Sequence, residues 1–196
     1  MAYRSSRPTA VWLIIGINLL LFIAVLINRD FVFYLLGFQP AGFLTRPWTI
    51  VTNLFIHGSI WHIFANMFTL YFFGSFLCRL IGVKRFLLVY FVGGIVGNLF
   101  FFLLPPSPYS IAIGASGAVF ALGGTLAVMM PKLRVFVFPI PAPLPLWVAV
   151  IGGFIILTIF SPFVGIAWQA HLGGLVLGLV AGYIFKRRIR YFYTQR

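Results

Sequence analysis

The chain has 196 residues, 62% of them hydrophobic and 8% charged, with mean hydropathy +1.10. A water-soluble domain carries roughly a quarter charged residues, so these proportions exclude one. The net charge is +13, with one acidic residue, Asp30, and one cysteine, Cys78, which excludes paired-carboxylate catalysis, a disulfide framework and a multi-cysteine metal site.

In chain order the sequence predicts an all-α polytopic membrane protein with six transmembrane helices, since each apolar run approaches the roughly 20 residues that span a bilayer. The first run, 10–28, has basic flanks and no small-residue cleavage site, so it reads as a retained span. The segment 29–60 is aromatic and broken by Pro and Gly; it is expected in or against the outer leaflet interface, where Trp and Tyr are favoured. Spans follow at 61–78 and 85–104, the latter stopped by "PPSP" at 105–108, because proline cannot continue a helix. A short helix, 116–130, closes at Pro131, and "PIPAPLP" at 139–145 forms an extended connector. The fifth span, 144–160, is expected to end at Ser161–Pro162, and the sixth covers 169–187. With no internal repeat and no second hydrophobic unit, residues 1–196 read as one membrane domain.

The basic residues set the direction. Arg4 and Arg7 precede the first span; Arg79, Lys84 and Arg85 join the second and third; Lys132 and Arg134 follow the fourth; Lys186, Arg187, Arg188, Arg190 and Arg196 follow the sixth. Only Arg29 and Arg46 fall on the other side, so the positive-inside rule predicts a multi-pass cell-membrane protein with both termini cytoplasmic. Basic residues at span ends, rather than on one face, also argue against a nucleic-acid partner. The partner is the lipid bilayer, and no motif specifies an oligomeric state.

Three helices carry polar side chains to a matching depth. Counted back from the basic residue at the inner end of each helix, Ser116 and His171 lie roughly 24 and 22 Å away, and His62 and Asn66 roughly 25 and 20 Å. Intramembrane histidines are costly and point to function. Small residues bring the helices together: Gly174, Gly178 and Gly182 repeat at spacing four, and Gly117, Ala121 and Gly124 face the same way on the fourth helix. Packing alone explains a serine between Gly114, Ala115 and Gly117; it does not explain a histidine at the same level on the adjoining helix.

A serine becomes nucleophilic when a base takes its proton. His171 can be that base, and with Asp30 placed outside, the chemistry reduces to a Ser–His dyad. Phe120, one turn after Ser116, can support the imidazole by stacking. His62 and Asn66 share a helix face and, with the Ser116 backbone N–H, can form an oxyanion hole; the alternative is an interhelical hydrogen-bond clasp. His57 lies further out and suits a structural or interfacial role. Asn98, in the third span, has no evident place in this scheme.

These residues carry a resemblance. "GASG" around Ser116, "HGSIWHIFAN" with His57, His62 and Asn66, and "AHLGGLVLG" with His171 resemble the rhomboid intramembrane serine proteases over nearly the whole chain. The resemblance implies a rhomboid-like bundle that cleaves transmembrane protein substrates near their outer ends, at small residues. Ser116 would be the nucleophile, His171 the base, and His62, Asn66 and the Ser116 amide the oxyanion hole, with no cofactor and no metal. It further implies lateral substrate entry past the fifth helix, under a cap formed by loop 161–168. Two departures stand out: many members carry Trp-Arg in the first loop where this chain has Arg46-Pro47-Trp48, and the position of Phe120 is often Tyr. The competing reading is a catalytically silent relative that binds membrane proteins as an adaptor. A transporter would need polar residues through both leaflets, and the inner halves of these spans have no titratable side chain.

Overall fold

The computed structural model describes residues 8–137 and 140–194, without the side chains at 164 and 187–194. Arg4, Arg7, Pro139 and Arg196, and the side chains of Arg187, Arg188 and Arg190, lie outside the described residues.

The architecture is predominantly helical. Helix α1 (Thr9–Ile27) is followed by a short α2 (Arg29–Leu36) and a single-turn α3 (Thr49–Thr52). The second long helix is continuous over Ile60–Ile81 but not uniform. It comprises α4 (Ile60–Thr69), one π-helical turn (Leu70–Gly74) and α5 (Ser75–Ile81), stopped by Gly82 at φ +85°. Then come α6 (Val83–Leu103) and α7 (Ser116–Met129). A two-residue hairpin pairs β1 (Arg134–Val135) with β2 (Leu144–Pro145), giving the connector a register that its prolines did not announce. Helices α8 (Leu146–Val164) and α9 (Trp168–Thr194) complete the set.

Five of these helices are long and apolar enough to cross a membrane: Thr9–Ile27, Ile60–Ile81, Val83–Leu103, Leu146–Phe163 and Trp168–Lys186. Helix α7, with 14 residues, is shorter, about 21 Å long against a hydrocarbon core near 30 Å. It is also buried on nearly every side: all of its residues from Gly117 to Met129 except Phe120 and Val128 are buried. A helix that is apolar all round belongs at the centre of a bundle. Because α7 is short and enclosed by protein, the chain before it can be irregular at depth without exposing backbone to lipid.

The close packing of α7 on α6 and α9 depends on glycine. A Cβ at Gly174 would strike the backbone of Gly117, and one at Gly178 would strike that of Ala121. At Gly182 it would lie 2.7 Å from the Thr125 carbonyl oxygen. The stripe on α7 is therefore Gly117, Ala121 and Thr125, one residue off the expected Gly124, which faces the Leu175 carbonyl instead. Thr125 fits because its hydroxyl is absorbed by two carbonyls, donating to Ala121 at 2.8 Å and lying 3.1 Å from that of Gly178.

Helix α8 is the opposite case. Its buried residues are Leu146 and Val150, both at its start, and from Ile151 to Phe163 none is buried. It does not end at Ser161–Pro162 as the sequence suggested. Proline removes only one intrahelical N–H bond, a loss that membrane helices tolerate, and the helix continues until Gly165 adopts the left-handed conformation at φ +65°. The loop between α8 and α9 is thus much shorter than residues 161–168.

The long first loop is held by side chains that close the end of α2. The last turn of a helix leaves carbonyls without partners. Here three consecutive ones are taken: Tyr34 by the Arg46 guanidinium, Leu35 by Trp48 Nε1 at 2.9 Å, and Leu36 by Thr52 Oγ1 at 2.9 Å. Arg46 also donates to Gln39 Oε1 at 3.2 Å and stacks 4.2 Å from the centre of the Tyr34 ring. Arg46 and Trp48 therefore work as a pair in the order in which this chain presents them.

Candidate active site

Ser116 is the first residue of α7, and Ala115 is its N-cap. First-turn N–H groups have no acceptor within their own helix and present a favourable field to negative charge. The approach to Ser116 is strained in a way only glycine relieves. Gly114 has φ +107°, and a Cβ there would lie 2.6 Å from His62 Nε2. The absence of that Cβ lets the His62 ring close over the turn.

His171 enters from the first turn of α9. Its Nε2 lies 2.8 Å from Ser116 Oγ, and the residue is 5% exposed. Its Nδ1 is buried and has no hydrogen-bond partner among the described residues, so no carboxylate orients the ring from behind. Phe120 lies beside it with ring centres 4.8 Å apart and planes at 33°. Phe120 also meets Phe154 of α8 edge-on at 6.0 Å. Ring packing does the orienting that a third polar residue would otherwise do.

His62 sits in the first turn of α4, capped by Ser59, whose Oγ accepts from the His62 N–H at 3.2 Å. Asn66, one turn on, donates its side-chain amide to the His62 carbonyl at 2.9 Å. That bond uses one of the two amide hydrogens and leaves the other for a ligand. Among the described residues Asn66 makes no hydrogen bond to α7.

His57 does more than line the loop. It is fully buried, packs edge-on to His62 with ring centres 4.8 Å apart, and accepts the Ala115 N–H through Nε2 at 3.3 Å. It therefore pins the residue before Ser116 and must carry its proton on Nδ1. Burial, reinforced by the adjacent His62, lowers its pKa from 6.5 to about 3. Between these values unfolded chains bind a proton at His57 that the folded protein refuses, so the contribution of neutral His57 to stability is complete above about pH 6.5 and is lost as the pH falls towards 3. Thermal melts at pH 7.5 and 4.5 are expected to show the lower midpoint at 4.5, with a smaller difference in His57→Gln. An equal difference in the variant would remove His57 as the cause.

Sequence reasoning left Asn53 out and Asn98 unplaced. Both are buried, and they bond to each other between the first loop and α6. No periodicity marks Asn53, because it lies in a loop turn rather than on an amphipathic face. Among the described residues no three His, Cys, Asp or Glu side chains group as metal ligands would.

The helices define a multi-pass membrane protein in which a serine and a histidine from two tightly packed helices meet beside the irregular segment between α6 and α7. Residues 44–188 match the Rhomboid domain model, and the chain belongs to the rhomboid family. It is similar to Rhomboid protein 1, mitochondrial, of Saccharomyces cerevisiae, at 25% identity over 95% of this chain and 56% of the yeast protein. It is also similar to Rhomboid protease GluP of Bacillus subtilis, at 28% identity over 91% of this chain and 35% of that protein. Rhomboid-like protease 3 of Toxoplasma gondii shares 32% identity over 63% of this chain and 49% of its own length. The chain thus spans about a third to a half of the length of these relatives.

Proposed function

We propose that this chain is an intramembrane serine endopeptidase that cleaves transmembrane segments of other membrane proteins near their outer ends. The observation that carries the proposal is the 2.8 Å contact between Ser116 Oγ and His171 Nε2 within the helix bundle. The names of two relatives, both called proteases, support it.

His171 Nε2 removes the Ser116 hydroxyl proton as Oγ attacks the scissile carbonyl. The developing oxyanion is met by the Ser116 N–H at the start of α7, by the His62 ring and by the free hydrogen of the Asn66 amide. His171 then passes the proton to the leaving amine, and an acyl-enzyme on Ser116 remains. Water activated by the same histidine releases the second product. Substrate reaches the site laterally past α8, the helix least buried in the bundle. We read six crossings in one membrane domain, with α7 as the short central one and both termini on the cytoplasmic side of the cell membrane.

The test is labelling of the protein by a fluorescent fluorophosphonate, in native membranes and after purification in detergent, with the adduct located by peptide mapping. A phosphonyl group on Ser116 is the expected result. Folded protein that stays unlabelled in native membranes would overturn the protease reading in favour of a silent binding protein.

A further inference from the structure

Asn53 and Asn98 form a closed amide pair. The Asn98 side-chain N–H donates to Asn53 Oδ1 at 2.8 Å and the Asn53 side-chain N–H donates to Asn98 Oδ1 at 3.0 Å. The remaining amide hydrogens are also used: Asn98 donates to the Ile50 carbonyl at 2.7 Å and Asn53 to the Ala112 carbonyl at 3.3 Å. A third link comes from the main chain, where the Asn53 carbonyl accepts the Gly114 N–H at 2.8 Å. Asn53 thus grips the segment before Ser116 at two points, and Asn98 anchors Asn53 to α6, the helix whose Gly97 packs against the start of α9. Burying two amides is tolerable only when every donor is satisfied, and a fully satisfied network rigidifies what it touches.

We propose that the Asn53–Asn98 pair is the positioning device of the site. It holds residues 112–114 so that the Gly114 turn, the Ser116 N–H and Ser116 Oγ stand in reacting geometry before substrate arrives. The proposal rests on the serine protease reading. The segment needs such a device because it is irregular: beside the packing of Ile113, its other hydrogen bonds are the pairing of Phe38 with Ala112 and the single bond from Ala115 to His57. Neither holds the Ile113–Gly114 peptide, whose N–H is taken by the Asn53 carbonyl. Neither asparagine touches the Ser116–His171 pair among the described hydrogen bonds, so their effect is exerted through the backbone.

The experiment compares wild type with Asn98→Ala and the near-isosteric Asn98→Leu. Fluorophosphonate labelling is followed as a function of probe concentration, giving the maximal rate and the half-saturating concentration separately, beside a thermal melt of each protein. A misplaced reacting group costs on the order of 10²-fold in rate. The expected result is a fall of that order in the maximal rate, an unchanged half-saturating concentration, and a melt still well above the assay temperature. A folded variant that labels at the wild-type maximal rate would overturn the proposal, whereas an unlabelled wild type would overturn the protease reading itself. Should both variants fail to fold, hydrogen exchange of wild type decides the matter. The Gly114 N–H is expected to be as protected as the interior of α7 in the free enzyme, and exchange at loop rates would refute prior positioning.

Discussion

Replacing His171 with alanine is expected to lower the rate of fluorophosphonate labelling about 10³-fold, within the range that a positioned general base contributes. Ser116→Ala should abolish labelling, since no atom remains to accept the phosphonyl group. The two variants should also remove cleavage of a reconstituted transmembrane substrate to similar extents, because residues that act as one unit lose their effect together. The size of the His171 effect follows from the surroundings. Asp30 is the only carboxylate side chain in the sequence, and it lies in α2 rather than beside the ring. The imidazole is held by Phe120 and by burial in the packed start of α9. A fall of less than about tenfold in His171→Ala would mean that the 2.8 Å contact is a packing hydrogen bond.

The second large effect is expected from Gly174→Val. Glycine at this position lets α9 touch the backbone of Gly117 directly, and a side chain there would strike that residue's carbonyl group. Overpacking a core by a methylene or two costs about 1–3 kcal/mol when side chains can yield. Here the obstacle is main chain, so the expected loss is about 3 kcal/mol or more, with a large drop in melting temperature and in folded yield. Gly152→Ala is the control, because nothing lies within 4 Å of a Cβ there. Equal melting temperatures for Gly174→Val and wild type would show that the two helices are not in contact at this point. The same substitution is expected to remove activity in any protein that does fold, since Gly117 follows Ser116 and His171 lies one turn before Gly174.

The parts of this structure that are legible in the sequence are those written in local patterns. Apolar runs mark the long helices to within a few residues, except that α9 continues past its expected end at 187 to Thr194, and the spacing of Gly174, Gly178 and Gly182 marks the face of α9 that meets α7. Ser116, His62 and His171 are visible because polar residues are costly in such surroundings. What escaped is long-range or geometric. The end of α2 is satisfied by Arg46, Trp48 and Thr52, residues 12 to 16 positions further on, and no helix signal reaches that far. Asn53 lies 45 positions from Asn98, so neither residue announces the other. Pro162 reads as a stop in the sequence but removes only one bond, while Gly165 carries the left-handed turn that ends α8.

The shortness of α7 has a consequence for how the protein is made. A 14-residue helix rich in glycine and alanine has little reason to remain across a bilayer by itself. Its partners on one side are already present when it leaves the ribosome, but α9 is synthesised only after the β1–β2 hairpin and α8. Until α9 docks, the Gly117–Ala121–Thr125 face lacks the Gly174, Gly178 and Gly182 surface, and Ser116 lacks the His171 imidazole. A nascent chain therefore carries Ser116 without His171 while its own helices pass through the insertion machinery. On the protease reading, hydrolytic competence would arrive only with tertiary closure, because the proposed base and nucleophile come from helices made at different times.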